Sequence, residues 1–304
     1  MRFATVRDVV DRSLDRGITF FDTADSYGAG WSERWLGRAL GRRRDEVMIA
    51  TKCGHPATLT GKLLGRLPLP GWAPILPLIS PGRLFSPRYI ELAFQRSLRR
   101  LGTEYLDVLL LHSPPADVLN DETWVEAFVN LRDRGVIRFF GVSARTPEDA
   151  ARAICNYEID CVELELNPCT IAAAEPALAL ARERGTAVIG REIFGSGRLL
   201  NEVVSRLGGP DAGERRGETA AAALLEFALG IPNVTVALVG MSNVEQVDAN
   251  ASQSKPSPEF VSQVIEAARD ACTSVGFAAS SYRGSLEEAK AAGRPCRNDS
   301  SPSL

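Results

Sequence analysis

A chain of 304 residues, 45% apolar and 24% charged, has ordinary globular composition and enough length to bury a sizeable core. Its formal net charge of −3 excludes a nucleic-acid binder whose affinity rests on phosphate contacts. The six cysteines (Cys53, Cys155, Cys161, Cys169, Cys272, Cys296) show no CxxC spacing, and the opening "MRFATVRDVVDRSLDRG" lacks the apolar stretch of a secretory signal. These features point to reduced thiols in a cytoplasmic protein rather than a disulfide framework or a zinc site.

In chain order, "TVRDVVDRSLDRG" (5–17) places Val6, Val9, Val10 and Leu14 on one helical face and stops at Gly17. Strands follow at "GITFF" (17–21) and "VMIAT" (47–51). The stretch Leu63–Phe85 is apolar, but its five prolines and two internal arginines exclude a membrane-spanning helix and predict a long loop. "SPRYIELAFQRSLRRLG" (86–102) is a helix with Ser86 as N-cap, Pro87 in the first turn and Gly102 at its end. Next come strand "LDVLLLH" (106–112), helix "NDETWVEAFVNLRDRG" (120–135), strand "VIRFFGVS" (136–143) and helix "TPEDAARAICN" (146–156). Strands "IDCVELEL" (159–166) and "TAVIG" (186–190), a helix in "GETAAAALLEFALG" (217–230) and strand "VTVALVG" (234–240) complete the pattern.

Repeated strand–helix alternation with continuously apolar strands means buried parallel strands joined by crossovers. A doubly wound dinucleotide-binding sheet needs GxGxxG in its first strand–helix turn, and none is present. The expected fold is therefore α/β, a (β/α)₈ TIM barrel over residues 1–277, with residues 278–304 a polar, flexible tail. Only seven strands are found, and the first N-terminal strand of such a barrel is missing. Either the natural start lies upstream of Met1, or the barrel is an open one of seven strands.

In a barrel, functional groups gather at the carboxyl ends of the strands. Three consecutive strands end near Asp22, Lys52 and His112, and Tyr27 stands in the glycine-flanked loop "DSYGAG" after the first. Singly, each has a plain structural reading: a cap for Asp22, a rim charge for Lys52, a packing group for His112. Together they form a circuit. An ammonium beside a phenol favours the phenolate, a carboxylate holds the ammonium in place, and an imidazole can hold a carbonyl oxygen.

"GITFFDTADSYGAGWSERWLGRAL", "VMIATKCG", "SLRRLGTEYLDVLLLHSPP" and "GVIRFFGVS" closely resemble the aldo-keto reductase family, in register from about residue 5 to 275. The resemblance implies a barrel that reduces aldehydes and ketones with NADPH, with NADH as the alternative. It implies Tyr27 as general acid, Asp22 and Lys52 as its tuning pair, and His112 as the group that orients the carbonyl. It also implies cofactor contacts at Ser143, Glu163, Arg191, Phe194, Gly195, Gly197 and Leu199, and at Gly240, Met241, Ser242, Gln246 and Asn250. The family pattern is broken at Ala144, where Asn is usual, and at Glu163, where Gln is usual. No Lys or Arg stands in "VGMSNVEQVDAN" to read a 2′-phosphate.

The partner expected is a small carbonyl compound, with no nucleic acid and no membrane; the oligomeric state is not encoded in any motif. Two other readings compete: a cofactor-binding but catalytically weak sensor or regulatory homologue, and an aldolase using Lys52 as a Schiff base. The second needs a desolvated lysine or a cationic neighbour, and an aspartate partner works against it.

Overall fold

The computed structural model describes residues 2–54, 84–208, 213–251 and 255–274. Most of the long loop and all of the tail expected from the sequence lie outside these residues. The chain forms two compact units, residues 1–143 with 242–244, and residues 144–241 with those from 245 onward.

The first unit opens with helix α1 (Phe3–Asp15), which buries Val10 and Ser13. It stops at Gly17, whose φ of 76° suits glycine. Strands β1 (Phe20–Asp22), β2 (Met48–Cys53), β3 (Leu106–His112) and β4 (Ile137–Ser143) then pair in parallel, each with the next. Their register sets the site. Asp22 pairs with Ala50, Lys52 with Leu110, and His112 with Ser143, so the polar residues cluster at the carboxyl ends.

Between the strands run α2 (Trp31–Leu40), α3 (Pro87–Leu101) and α4 (Thr123–Asp133). Helix α3 has the ends the sequence foretells. Ser86 accepts a hydrogen bond from the Tyr89 amide, Pro87 opens the first turn, and Gly102 closes the helix in the left-handed region. Its buried face, Ile90, Ala93, Phe94, Ser97 and Leu101, covers strands whose Ile49, Leu109, Leu110 and Leu111 are fully buried. Helix α2 approaches the end of α3 so closely that a Cβ on Gly37 would lie 1.9 Å from the Leu101 carbonyl oxygen. At the amino end of the sheet the buried Asp107 holds Arg44 (2.7 Å), Arg138 (2.9 Å) and the Ile49 amide (2.9 Å), which fixes β2, β3 and β4 in register.

The second unit contains α5 (Pro147–Asn156), β5 (Cys161–Glu165), α6 (Ile171–Arg184), β6 (Ala187–Arg191), α7 (Arg198–Gly208), α8 (Gly213–Leu229), β7 (Val234–Ala237), all but the first residue of α9 (Val244–Asn250), and α10 (Pro258–Ser274). β5, β6 and β7 are again parallel, with an irregularity at Val188/Ile189. Helix α10 buries Val264, Ala268 and Ala271 and packs against α7 and α8.

One expectation fails in this unit. Cys169, in the loop after β5, and Cys272, in the last turn of α10, form a disulfide with Cα atoms 5.6 Å apart. The expectation of reduced thiols fails at both, and at Cys155, which is disulfide-bonded as well. Cys169 and Cys272 are 103 residues apart in the chain, so only tertiary packing brings them together. Cys53 and Cys161 are free and buried. Among the described residues, no helix is long and apolar enough to cross a membrane, and no cluster of His, Cys, Asp and Glu could hold a metal.

Seven parallel strands in chain order, alternating with helices, make this an α/β fold of the (β/α)₈ barrel class, with no strand ahead of α1 among the described residues.

Candidate active site

Asp22, Tyr27, Lys52 and His112 come together in the first unit. Lys52 is fully buried, an expensive place for an ammonium unless it is paired. Its Nζ donates to both Asp22 carboxylate oxygens, at 2.5 Å to Oδ1, and to the Thr23 carbonyl at 3.2 Å. The same Nζ lies 5.3 Å from the centre of the Tyr27 ring. The Tyr27 and His112 rings meet edge to face at 5.7 Å.

Tyr27 is 41% exposed although it belongs to a buried loop whose Thr23, Ala24 and Asp25 are all within 4% of full burial. The backbone explains this. Gly28, Ala29 and Gly30 adopt φ values of 57°, 57° and 85°, a left-handed run that turns the chain sharply before α2 and leaves Tyr27 at the surface. Gly30 also has to be small, because a Cβ there would lie 2.7 Å from Arg100 Cδ.

Beneath this group lies a buried cluster that the sequence reading missed. Glu33 has no exposure; it accepts from Thr51 Oγ1 at 2.8 Å and from Arg100 Nε at 2.5 Å. Asp25, 4% exposed, is the second carboxyl, and its amide donates to the Lys52 carbonyl at 3.2 Å. Burial, and then the charge of Glu33, push the Asp25 pKa up to about 8, against the opposing pull of Arg100 and the Ser26 amide. Burial also pushes the Cys53 thiol well above its ordinary range and the Tyr89 phenol to about 12. The available signal was an aspartate two residues before Tyr27, inside an otherwise buried turn.

The remaining expected residues fall as follows. Ser143, 2% exposed, ends β4 beside His112 in the first unit, and its carbonyl accepts from the Ser113 amide at 2.8 Å. Ser242 belongs to the same unit. In the second unit Glu163, 2% exposed, faces Arg191: Nε to Oε1 is 3.6 Å. Arg191 Nη2 also donates to the Ala144 carbonyl at 3.0 Å, and Nη1 lies 4.0 Å from Glu165. Burial raises the Glu165 pKa, and Arg191 holds it partly down.

Phe194, Gly195, Gly197 and Leu199 form the turn that runs into the start of α7. Glu192, Gly195, Ser196 and Gly197 all have φ between 55° and 82°. The turn is closed by Gly195 N–H to Glu192 C=O (2.9 Å), Gly197 N–H to Phe194 C=O (3.0 Å) and Ser196 Oγ to Glu192 Oε2 (2.8 Å). Gly240 and Met241 follow β7, and Gln246 and Asn250 lie one turn apart on α9.

Comparison with known proteins bears on the family and the fold. The family model described as the aldo/keto reductase family matches residues 1–269. A probable aldo-keto reductase from Glycine max is 29% identical over 201 residues, 64% of this chain and 53% of the relative. An aldo-keto reductase from Schizosaccharomyces pombe, named for NADP(+), is 28% identical over 220 residues, 68% of this chain and 57% of the relative. The chain thus spans about half the length of the curated relatives it matches. Among solved structures, an aldo-keto reductase from Klebsiella pneumoniae in complex with NADPH has a TM-score of 0.67 at 22% identity, covering 88% of this chain and 86% of that one. The holo form of one from Bacillus halodurans has a TM-score of 0.66 at 24% identity, covering 88% of each chain. The likeness in structure shows the barrel fold, and the family model shows the lineage: this chain belongs to the aldo/keto reductase family.

Proposed function

We propose that the protein is an NADPH-dependent carbonyl reductase, reducing an aldehyde or ketone to an alcohol or running the reverse oxidation, with Tyr27 as general acid. One observation carries the reading: the Tyr27 ring stands 5.3 Å from a buried ammonium and 5.7 Å from the His112 ring, at a partly exposed position. Tyr27 Oη gives its proton to the substrate oxygen as that oxygen gains charge. Lys52, held charged by Asp22, stabilises the phenolate that remains. His112 donates to the carbonyl oxygen and aims it at Tyr27.

A reduced nicotinamide, when bound, supplies the hydride. The second unit suits such a dinucleotide. The turn 192–199 delivers a glycine-bearing backbone to the amino end of the 11-residue helix α7, where the positive end of the helix dipole favours phosphate. A Cβ on Gly197 or Gly240 would meet nothing within 4 Å, so the backbone there is open to a ligand. Where the family uses Gln for the carboxamide, Glu163 can only accept; Arg191 beside it brings the missing donors. With no cation in "VGMSNVEQVDAN" to read a 2′-phosphate, NADH is the alternative cofactor. The substrate is a small carbonyl compound, and the location is cytoplasmic.

A second reading, a cofactor-binding sensor with weak catalysis, draws on Glu163 and Ala144. The Lys52–Asp22 contact opposes a Schiff-base aldolase, since it keeps the amine protonated. Nicotinamide fluorescence on adding the protein, followed by NADPH consumption with a panel of aldehydes and ketones, tests the proposal. Binding with turnover supports it, binding without turnover favours the sensor, and no binding of either dinucleotide overturns both.

A further inference from the structure

The Cys169–Cys272 disulfide ties the last turn of α10 to the loop after β5, and that loop is bonded to the turn at 192–199. The link is short. Asn167 Oδ1 accepts from the Cys169 amide at 3.0 Å, and its Nδ2 donates to the Glu192 carbonyl at 3.0 Å. Thr170 Oγ1 accepts from the Asn167 amide at 3.0 Å and donates to the Glu165 carbonyl at 3.2 Å, which anchors the loop to the end of β5. Glu192 holds a left-handed φ of 56°, a conformation that persists only when its surroundings enforce it. A second route runs through packing, because α10 lies against α7, whose first turn ends the 192–199 segment.

We propose that Cys169–Cys272 is a reversible redox latch, made and broken by exchange with a low-molecular-weight disulfide such as oxidised glutathione, and that it sets the order of the 192–199 turn. Its effect on dinucleotide affinity rests on the function proposed above. The two sulfurs differ in access: Cys169 is half-buried and Cys272 is buried. Cys169 thiolate therefore attacks first, forming a mixed disulfide and releasing one thiolate. Cys272, losing its proton to solvent, then attacks Cys169 Sγ and expels the second. Two protein thiols and one small disulfide become one protein disulfide and two small thiols, and excess small thiol drives the reverse. In a reducing compartment a disulfide of this kind is transient and regulatory rather than a permanent staple.

With the bond broken, α10 loses its covalent tie to the loop after β5, and the Asn167 clamp on Glu192 loses its tether. The free energy of that tether is shared with any ligand that needs the turn ordered, so coupling of about fivefold or more in affinity is expected.

The test uses the whole chain equilibrated in reduced and oxidised glutathione mixtures. Thiol alkylation with peptide mass spectrometry reads the state of Cys169 and Cys272. Hydrogen–deuterium exchange of peptides covering 192–199, without ligand, reads the turn, and NADPH titration by fluorescence reads affinity. The latch requires the bond to form with oxidised glutathione, exchange at 192–199 to quicken about fivefold or more on reduction, and affinity to fall in parallel. Cys169→Ser and Cys272→Ser should each fix the turn in its reduced behaviour and abolish the redox response. A bond that never forms, or exchange at 192–199 that ignores the redox state, overturns the latch. If exchange responds but no dinucleotide binds in either state, the latch stands and the dinucleotide reading falls. If dinucleotide binds with equal affinity in both states, the regulatory claim falls.

Discussion

Replacing Asp25 with Asn should remove most of a pH dependence that the wild-type fold carries. The carboxyl is 4% exposed, with Glu33, Arg100, Cys53 and Tyr89 around it, and its pKa is raised from 3.8 to about 8. The unfolded chain releases this proton near pH 4, while the folded chain keeps it until about pH 8. Between those values the folded state binds one more proton, so stability falls as pH rises through the window. Below the unfolded value the penalty vanishes; above the folded value it is fully developed. At ~1.4 kcal/mol per unit, the interval from pH 5 to pH 8 is worth up to ~4 kcal/mol. Urea unfolding of wild type and Asp25→Asn at unit steps across this range isolates the effect, since titrating groups not coupled to Asp25 cancel in the difference. The variant should gain on wild type by up to ~4 kcal/mol between pH 5 and pH 8. Parallel profiles for the two proteins would refute the reasoning, because a buried, proton-retaining Asp25 requires them to diverge.

Arg191→Met leaves the Glu163 carboxylate buried beside an apolar side chain and should cost ~2–4 kcal/mol in urea unfolding. Adding Glu163→Gln to that variant should recover part of the loss, with a coupling of ~1–3 kcal/mol; strictly additive effects would mean the two groups do not interact. Gly37→Ala should destabilise by ~2 kcal/mol or more, because its methyl would overlap the Leu101 carbonyl and force α2 off α3. A wild-type melting temperature for this variant would show that the two helices can separate at no cost.

What the sequence revealed was mostly local. Ser86, Pro87 and Gly102 bound α3 because capping chemistry acts within a few residues. The strand ends that carry Lys52 and His112 were visible because buried parallel strands read as unbroken apolar runs. Tyr27 stood out because its glycine-flanked turn offers no core. Its role beside Lys52, Asp22 and His112 leaned on family resemblance as well as chemistry.

Other features depend on contacts that spacing does not encode. Helix α2 is hard to read from sequence because its interior Gly37 lowers helix propensity, and the reason for that glycine is the distant Leu101 carbonyl. Helix α6 is hard to read because an Ala-rich run blurs the apolar face and Pro176 interrupts it. The Asp25–Glu33–Arg100 cluster and the Cys169–Cys272 bond exist only once distant segments pack.

The central claim is that Tyr27 donates the proton. Tyr27→Phe keeps the ring against His112 and Lys52 while removing only Oη. Steady-state NADPH consumption with an aldehyde accepted by the wild type, alongside fluorescence titration of NADPH, measures both consequences. The account predicts turnover reduced ~10²–10⁴-fold with the dinucleotide dissociation constant within a few-fold of wild type. A variant that keeps more than about a tenth of wild-type turnover would contradict it, because a positioned general acid contributes far more than that.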